Sequence, residues 1–323
     1  MKEFTIEKND AGQRLDRFVA KAVPLLPPSL AQKYIRIKRI KVDGRGSQRD
    51  ARLALGSTVQ MYVNDEFFQK PTEENSFLSI AVPKLNIVYE DENILLADKP
   101  QGMLCHSDGG WSPNTLIANI QAYLYQKKEW DPKAEHAFAP ALCNRIDRNT
   151  AGIVIAAKNA EALRIMNDKI KNREIRKFYL CAVHGRPTPA SGTLKGQLFK
   201  DAAKNQVYIR ETPCPGSKEA VTKYRVLGTR NGLSLVECEL LTGRTHQIRA
   251  QMAHAGWPLL GDGKYGQNKL NKKFGETAQA LRSYRLIFTF SGDSGLLSYL
   301  QDREFQAGRK EFVEKYFSGS DFD

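Results

Sequence analysis

The sequence predicts an α+β protein: a large domain built on a mixed, mainly antiparallel sheet, preceded by a small unit at residues 1–64. Three features carry this prediction. Apolar runs of strand length sit in pairs across short turns, as hairpins do. Amphipathic helical stretches are interspersed among them, with nothing in the pattern that demands parallel order. The chain of 323 residues exceeds one typical domain, so one large and one small domain is the expected division.

Composition narrows the partners. Hydrophobic residues make up 41% and charged residues 26%, the balance of an ordinary globular protein. Lys and Arg total 49 against 36 Asp and Glu, a net charge of +13, with a pI near 9.4. That excess favours a polyanion. Nucleic acid comes ahead of a membrane surface, because no basic amphipathic helix with a bulky apolar face is present. No run of about 18 apolar residues offers a membrane span. The opening residues Met1-Lys2-Glu3-Phe4-Thr5-Ile6 lack the apolar core of a signal peptide, so a cytoplasmic location is expected. Cys105, Cys143, Cys181, Cys214 and Cys238 are scattered and never form C-x-x-C. They read as reduced thiols, not as a disulfide framework or a zinc site. Cys143 has no histidine near it in sequence and reads as core packing.

The elements follow in order. Residues 13–23 place Leu15, Phe18, Val19 and Ala22 on one helical face. Pro24, Pro27 and Pro28 end that helix, and Ser29 is the expected cap of a second, through Leu30, Lys33, Tyr34 and Ile37. The second helix and its exit carry Lys33, Arg36, Lys38, Arg39 and Lys41; a lone basic face of this kind is most simply solvated. Ile40-Lys41-Val42 enters an Asp43-Gly44 hairpin turn, and residues 55–63 alternate as the closing strand. Residues 65–84 are mixed and polar and read as a linker with a short strand at 77–82.

The larger domain is expected over residues 85–323. It opens with two apolar strands around the acidic turn 90–93, then Lys99-Pro100-Gln101-Gly102 as a fixed exit. A loop with His106, Gly109 and Gly110 leads to a helix over 115–128 with Leu116, Ile117, Ile120, Tyr123 and Leu124 apolar. Residues 144–158 couple a polar cluster to a buried strand, Ile153 to Ala157. Asp147 there stands between Arg145 and Arg148 in a turn made by Asn149, Thr150 and Gly152. Two cations within a few ångströms would lower its pKa and hold it ionised. Such a carboxylate suits nucleophilic attack, or base work if its pKa were raised. A plain salt-bridge and turn role uses the same residues, and a motif this short does not separate the two.

A helix over 159–171 and a strand over 175–183 carrying Tyr179 follow. Strands near 192–198, 206–210 and 220–227 surround a basic loop with Lys200, Lys204, Arg210 and Lys218, which could meet RNA phosphates. A strand then runs into Thr242-Gly243-Arg244-Thr245-His246-Gln247-Ile248-Arg249, with a helix from Thr245 ending at Gly256. Arg244 and Arg249 thus fall at a helix N-terminus beside a strand end, a good place to hold an anion. His246 and His254 lack the clustered acids or cysteines of a metal site, and no metal is expected. The turn 258–266, a strand over 285–290 and a helix over 303–317 close the chain.

Together these segments resemble the RluA-type family of RNA pseudouridine synthases. Residues 144–152 are similar to the family's His-Arg-Leu-Asp-Arg, polar pair, Ser-Gly, with Asn144 in place of His and Ala151 in place of Ser. Lys99-Pro100-x-Gly102, Thr242 to Arg249, and Gly261-Asp262-x-x-Tyr265-Gly266 are similar to further motifs of that family. Residues 1–64 resemble the S4 RNA-binding domain. The resemblance implies that Asp147 attacks the uridine and that Tyr179 stacks on the target base, a contact of about 1–3 kcal/mol. It implies that Arg145 fills the vacated stack, a task for a planar guanidinium. It also implies that an arginine of the third motif pairs with Asp147, Arg249 in preference to Arg244. Arg148, Arg244 and His246, with Lys33, Arg36 and Arg39 of the small unit, are expected to bind substrate. The small unit would add affinity and not chemistry. Isomerising uridine changes no redox state and adds no group, so no cofactor is expected. The expected partner is RNA, 23S ribosomal RNA by analogy, with tRNA or small-subunit RNA as alternatives and the protein a monomer. A sister RsuA-type synthase, a non-enzymatic S4-type RNA-binding protein and a metal nuclease are the rivals. The third motif, the trio Asp147, Tyr179 and Arg249, and the lack of clustered carboxylates weigh against them in turn.

Overall fold

The computed structural model describes every residue except 8–9, 73, 109–111, 133, 135–137, 202–205, 309–310 and 319–323. Expectations that fell on Gly109, Gly110 and Lys204 lie outside the described residues. The chain forms two compact units, Met1–Lys84 with His106–Glu135, and Leu85–Cys105 with His136–Asp323.

In the first unit, strands β1 (Lys2–Thr5), β2 (Ile40–Val42), β3 (Arg45–Gly46) and β4 (Thr58–Met61) pair antiparallel in the order β1-β4-β2-β3. Asp43 and Gly44 both take positive φ, 49° and 75°, which matches the twist of the β2–β3 hairpin. Helix α1 (Leu15–Ala22) buries Leu15, Phe18 and Val19, the face its spacing predicts. Helix α2 (Pro28–Arg36) starts differently from expectation. Pro27 is its N-cap, without a side-chain hydrogen bond, and Pro28 opens the first turn, so Ser29 lies inside the helix. The proline ring fixes a helical φ where an N–H has no partner to lose.

Residues 65–84 are not an open linker and contain no strand at 77–82. They form two 3₁₀ turns, Asp65–Phe68 and Ser76–Ser79, grouped in the same unit as helix α3 (Leu116–Gln126). Phe77 packs its ring on Tyr125 and Trp130, with centroids 5.3 and 5.0 Å apart. Lys84 N–H donates to the buried Asn119 side chain at 2.8 Å. Apolar burial against a helix distant in sequence overrides the polar look of the segment. The first unit therefore holds more than residues 1–64.

The second unit holds an 11-stranded sheet. Its strands are β5 (Ile87–Glu90), β6 (Ile94–Lys99), β7 (Ala141–Leu142), β8 (Ala151–Ala157), β9 (Ile175–His184), β10 (Ser191–Asp201), β11 (Gln206–Arg210), β12 (Lys218–Arg230), β13 (Leu233–Leu240), β14 (Leu281–Phe288) and β15 (Glu304–Gln306). The main order is β11-β10-β12-β13-β9-β14-β8-β6-β5, with β15 on β14 and β7 on β8. The β8–β14 pair is parallel and the other described pairs are antiparallel, as the α+β prediction requires. β8 is buried at every position, so it reads as a continuous apolar run, not an alternating one. Ile153 and Ile155 pack with Ala162 and Met166 of α4 (Ala160–Lys171), which Asn159 caps by accepting Ala162 N–H at 2.8 Å.

Gly152 marks the join. Its φ is +118°, and a Cβ there would lie 2.0 Å from the Ser283 carbonyl oxygen. Only glycine lets β14 pass this close beside the end of the 144–152 segment. α5 (Gln247–His254) starts two residues later than the Thr245 expected, and Gly256 follows it at φ +89°. α6 (Asn268–Phe274) precedes β14, which begins at Leu281, ahead of the predicted start at 285. The expected helix over 303–317 splits into β15 and α7 (Glu311–Phe317), because Phe305 packs extended against Tyr89 and Phe288 at 4.7 and 5.7 Å. Among the described residues no helix is long and apolar enough to cross a membrane.

Candidate active site

The site forms where β8, β9, α5 and the turn after α5 converge. The segment bearing Asp147 has few apolar side chains of its own, so backbone contacts hold it. Thr150 N–H closes a turn on the Asp147 carbonyl at 3.0 Å. The Lys99-to-Cys105 stretch straps the segment from below: Gly102 N–H donates to Arg148 O at 2.9 Å, Arg148 Nε to Gly102 O at 3.1 Å, Gln101 Nε2 to Asn149 O at 3.0 Å, and Cys105 Sγ to Ile146 O at 3.5 Å. Lys99 is fully buried, and its Nζ donates to the carbonyls of Pro100, Met103 and Arg148 at 3.1, 2.7 and 3.0 Å. Burial pushes its pKa down to about 8, against the nearby charges of Cys105, Asp147 and Asp98. The Lys-Pro-x-Gly segment thus shapes the site through backbone contacts.

Asp147 keeps 26% of its side chain exposed, so solvent reaches the carboxylate. Its partners are not its sequence neighbours. Among the described residues Arg145 forms no ion pair and is exposed, and Arg148 turns to the Gly102 carbonyl. The expectation that these two cations hold Asp147 is corrected: Arg148 is engaged with Gly102, and among the described residues neither arginine forms an ion pair with the carboxylate. Arg249 Nη1 instead donates to Asp147 Oδ2 at 3.1 Å, and His246 Nε2 stands 3.8 Å from the same oxygen. Arg244 does not take part, since its Nε donates to Glu219 O at 3.1 Å. Arg249 lies in the first turn of α5, where its side chain reaches back across the helix start.

Arg249 is itself clamped. Its Nε and Nη2 donate to Asp262 Oδ2 and Oδ1 at 2.7 and 3.0 Å, a bidentate pair with Asp262 fully buried. Burial opposes charge on both, yet their mutual bonds win: Arg249 is raised and Asp262 lowered from their ordinary values. Asp262 Oδ1 also accepts Lys264 N–H and Tyr265 N–H at 2.9 and 3.1 Å. The Tyr265 ring lies under the guanidinium, 5.1 Å from its centre. One buried acid therefore aims a guanidinium at a second, accessible acid.

Tyr179 is 6% exposed and packs with Ile146, Cys181, Cys238, Ile248 and Leu281. Burial raises its hydroxyl pKa to about 12, the Asp147 charge acting in the same direction, so the phenol stays protonated. Asp147, Arg249 and Tyr179 thus share one locality, with His246 beside them. Of the remaining candidates, Lys33 and Arg36 line a groove of about 550 Å³ in the first unit with Lys38 and Arg49, while Arg39 stacks on Tyr34 at 5.0 Å. Sequence reasoning gave no role to Asp262 or Tyr265, although their spacing was visible in the Gly-Asp-x-x-Tyr-Gly segment. Among the described residues no three His, Cys, Asp or Glu side chains converge as a metal site needs. The site is thus an accessible carboxylate in a cationic, partly aromatic setting.

Comparison with known proteins identifies the family. The profile of a family described as RNA pseudouridylate synthase matches residues 93–254. An uncharacterised RNA pseudouridine synthase of Mycoplasma genitalium is 31% identical over 295 residues, 88% of this chain and 88% of that protein. The ribosomal large subunit pseudouridine synthase D of Escherichia coli K12 is 31% identical over 262 residues, 81% of this chain and 75% of that protein. Among solved structures, human RNA pseudouridylate synthase domain containing 4 shares the fold at a TM-score of 0.54 and 20% identity, over 70% of this chain and 89% of that one.

Proposed function

Because the chain belongs to the RNA pseudouridylate synthase family and so isomerises uridine in RNA, we propose that Asp147 is its nucleophile and large-subunit ribosomal RNA its substrate. The observation that carries the first part is the 3.1 Å contact between Arg249 and a carboxylate that remains accessible. In this reading an extruded uridine enters beside Asp147. The carboxylate takes up the sugar as the bond from C1′ to N1 breaks, the uracil turns, and C5 bonds to C1′ as Asp147 leaves. N1 ends with a proton and C5 loses one, so atoms balance without a cofactor. The positive charge of Arg249 lies against the oxygen on which negative charge returns when Asp147 is expelled. Tyr179 supplies the aromatic wall for the base, and exposed Arg145 is free to take the place of the extruded base.

The substrate assignment rests on the E. coli relative, a ribosomal large subunit pseudouridine synthase. The basic groove of Lys33, Arg36, Lys38 and Arg49 supports an RNA-affinity role for the first unit, in line with its resemblance to an S4 domain. The same reading has the protein act as a monomer in the cytoplasm. The test is Asp147→Asn on RNA labelled with tritium at uridine C5. Release should vanish while RNA affinity stays within about threefold, because uncharged Asn adds no phosphate repulsion. Full release would remove Asp147 from the nucleophile role. Mapping pseudouridine in total RNA with and without the protein tests the substrate; a lost site outside large-subunit RNA would refute that part.

A further inference from the structure

Tyr265 sits between the β10–β11 hairpin and His246. Its hydroxyl oxygen accepts Val207 N–H at 3.0 Å and lies 2.8 Å from His246 Nδ1. With a backbone proton already on that oxygen, the hydroxyl's own proton has one acceptor among the described residues, Nδ1. The imidazole proton is then on Nε2, which faces Asp147 Oδ2 at 3.8 Å. The other tautomer would crowd two donors onto the Tyr265 oxygen and turn an imidazole lone pair towards a carboxylate. Both ends of the ring select the same form.

Two further observations agree. His246 takes φ 54° and ψ 22° at the start of α5, a left-handed conformation that a residue with a Cβ adopts only when its surroundings hold it there. The groups that face the ring are Asp147, Arg249, Lys264, Asp262 and Tyr265. Burial, with Arg249 and Lys264, keeps the imidazole pKa below its ordinary 6.5 against Asp147 and Asp262. Burial likewise raises Tyr265, so it keeps its proton.

We infer that Tyr265 and His246 form a positioning relay, in which Val207 N–H orients Tyr265, Tyr265 selects the imidazole tautomer, and the neutral Nε2–H is poised as a second donor to the Asp147 oxygen that Arg249 holds. A donor 3.8 Å away in the free protein needs only a small closure to reach hydrogen-bond range. The relay ties the hairpin backbone to the reactive acid through one tyrosine. Its catalytic consequence rests on Asp147 being the nucleophile; its structural content does not.

Long-range nitrogen–proton correlation spectra of the whole ¹⁵N-labelled protein near pH 7.5 test the structural content. His246 should appear protonated at Nε2 alone. In Tyr265→Phe, which removes the donor to the neutral form, its pKa should rise and the tautomer preference should weaken. Turnover should fall about fivefold, the effect of one neutral hydrogen bond, with KM for RNA unchanged within about twofold. The acid limb of kcat should move to higher pH with the imidazole pKa. His246→Gln, which keeps a side-chain N–H, should retain more turnover than His246→Ala. An Nδ1-protonated His246 in the unaltered protein, or Tyr265→Phe with unchanged kcat and acid limb, would overturn the relay. If Tyr265→Phe does not fold, the tautomer in the unaltered protein and the pair of His246 variants still decide. An active Asp147→Asn would instead defeat the nucleophile reading and leave the tautomer as found.

Discussion

Replacing Asp262 by Asn alters charge and one oxygen while leaving volume nearly unchanged. Asp262 is fully buried, and its two oxygens receive Arg249 Nε and Nη2 together with the backbone N–H groups of Lys264 and Tyr265. An asparagine has one acceptor oxygen. If that oxygen stays with Lys264 and Tyr265, its NH₂ faces the Arg249 Nε donor, and the guanidinium of Arg249, a residue 7% exposed, keeps Asp147 as its remaining close counter-charge. Breaking a buried pair from one side costs about 3–5 kcal/mol; the surviving contact to Asp147 puts the expected loss at the low end, about 3 kcal/mol. Urea denaturation at pH 7 measures it. The sign with pH is fixed, since Asp262 titrates below its ordinary 3.8 when folded. Its contribution is full above that value and is lost as pH falls through the lower folded one, so the gap between the two proteins should narrow in acid. With Arg249 no longer aimed, tritium release should fall about 100-fold, the effect of a displacement near 1 Å. A loss below about 1 kcal/mol with unchanged turnover would show that Asp262 does not aim Arg249.

Further outcomes follow from other parts of the molecule. Gly152→Ala, with a Cβ 2.0 Å from Ser283 O at φ +118°, should cost about 3 kcal/mol or more in urea denaturation; a cost under about 1 kcal/mol would mean β14 can step aside freely. Lys99 titrates at about 8 when folded against 10.5 unfolded, so its buried charge penalises the fold fully below pH 8 and is relieved as pH rises towards 10.5. The stability of the unaltered protein minus that of Lys99→Met should therefore climb by about 3 kcal/mol across that window, and a flat difference would refute the assignment. Lys33→Ala with Arg36→Ala should weaken RNA binding about tenfold near 0.1 M salt and flatten its salt dependence, with kcat at saturating RNA unchanged within about twofold; undiminished affinity would take RNA out of that groove.

Local pattern was enough for most elements. The hairpin of β5 and β6, the capped helices α3 and α4, and the all-apolar β8 each follow from residues adjacent in sequence. The candidate trio of Asp147, Tyr179 and Arg249 came instead from the family resemblance, because each sits in a short segment similar to one of that family's motifs. Two of the errors share one cause. Residues 65–84 looked like a linker because what covers Phe77 lies about 50 positions away, at Tyr125 and Trp130. The segment 303–317 looked helical because the rings that receive Phe305 come from β5 and β14.

The sequence by itself determined the α+β class, the basic character and the residue types available for chemistry, all of which depend on composition and short-range periodicity. Tertiary structure alone decided which cation meets the acid. Arg145 and Arg148 are nearest along the chain and form no ion pair with it, while Arg249 arrives from 102 residues further on. It is aimed by Asp262, with His246 and Tyr265 beside it. A charge acts over ångströms of space, and only the folded sheet converts distance along the chain into distance between atoms.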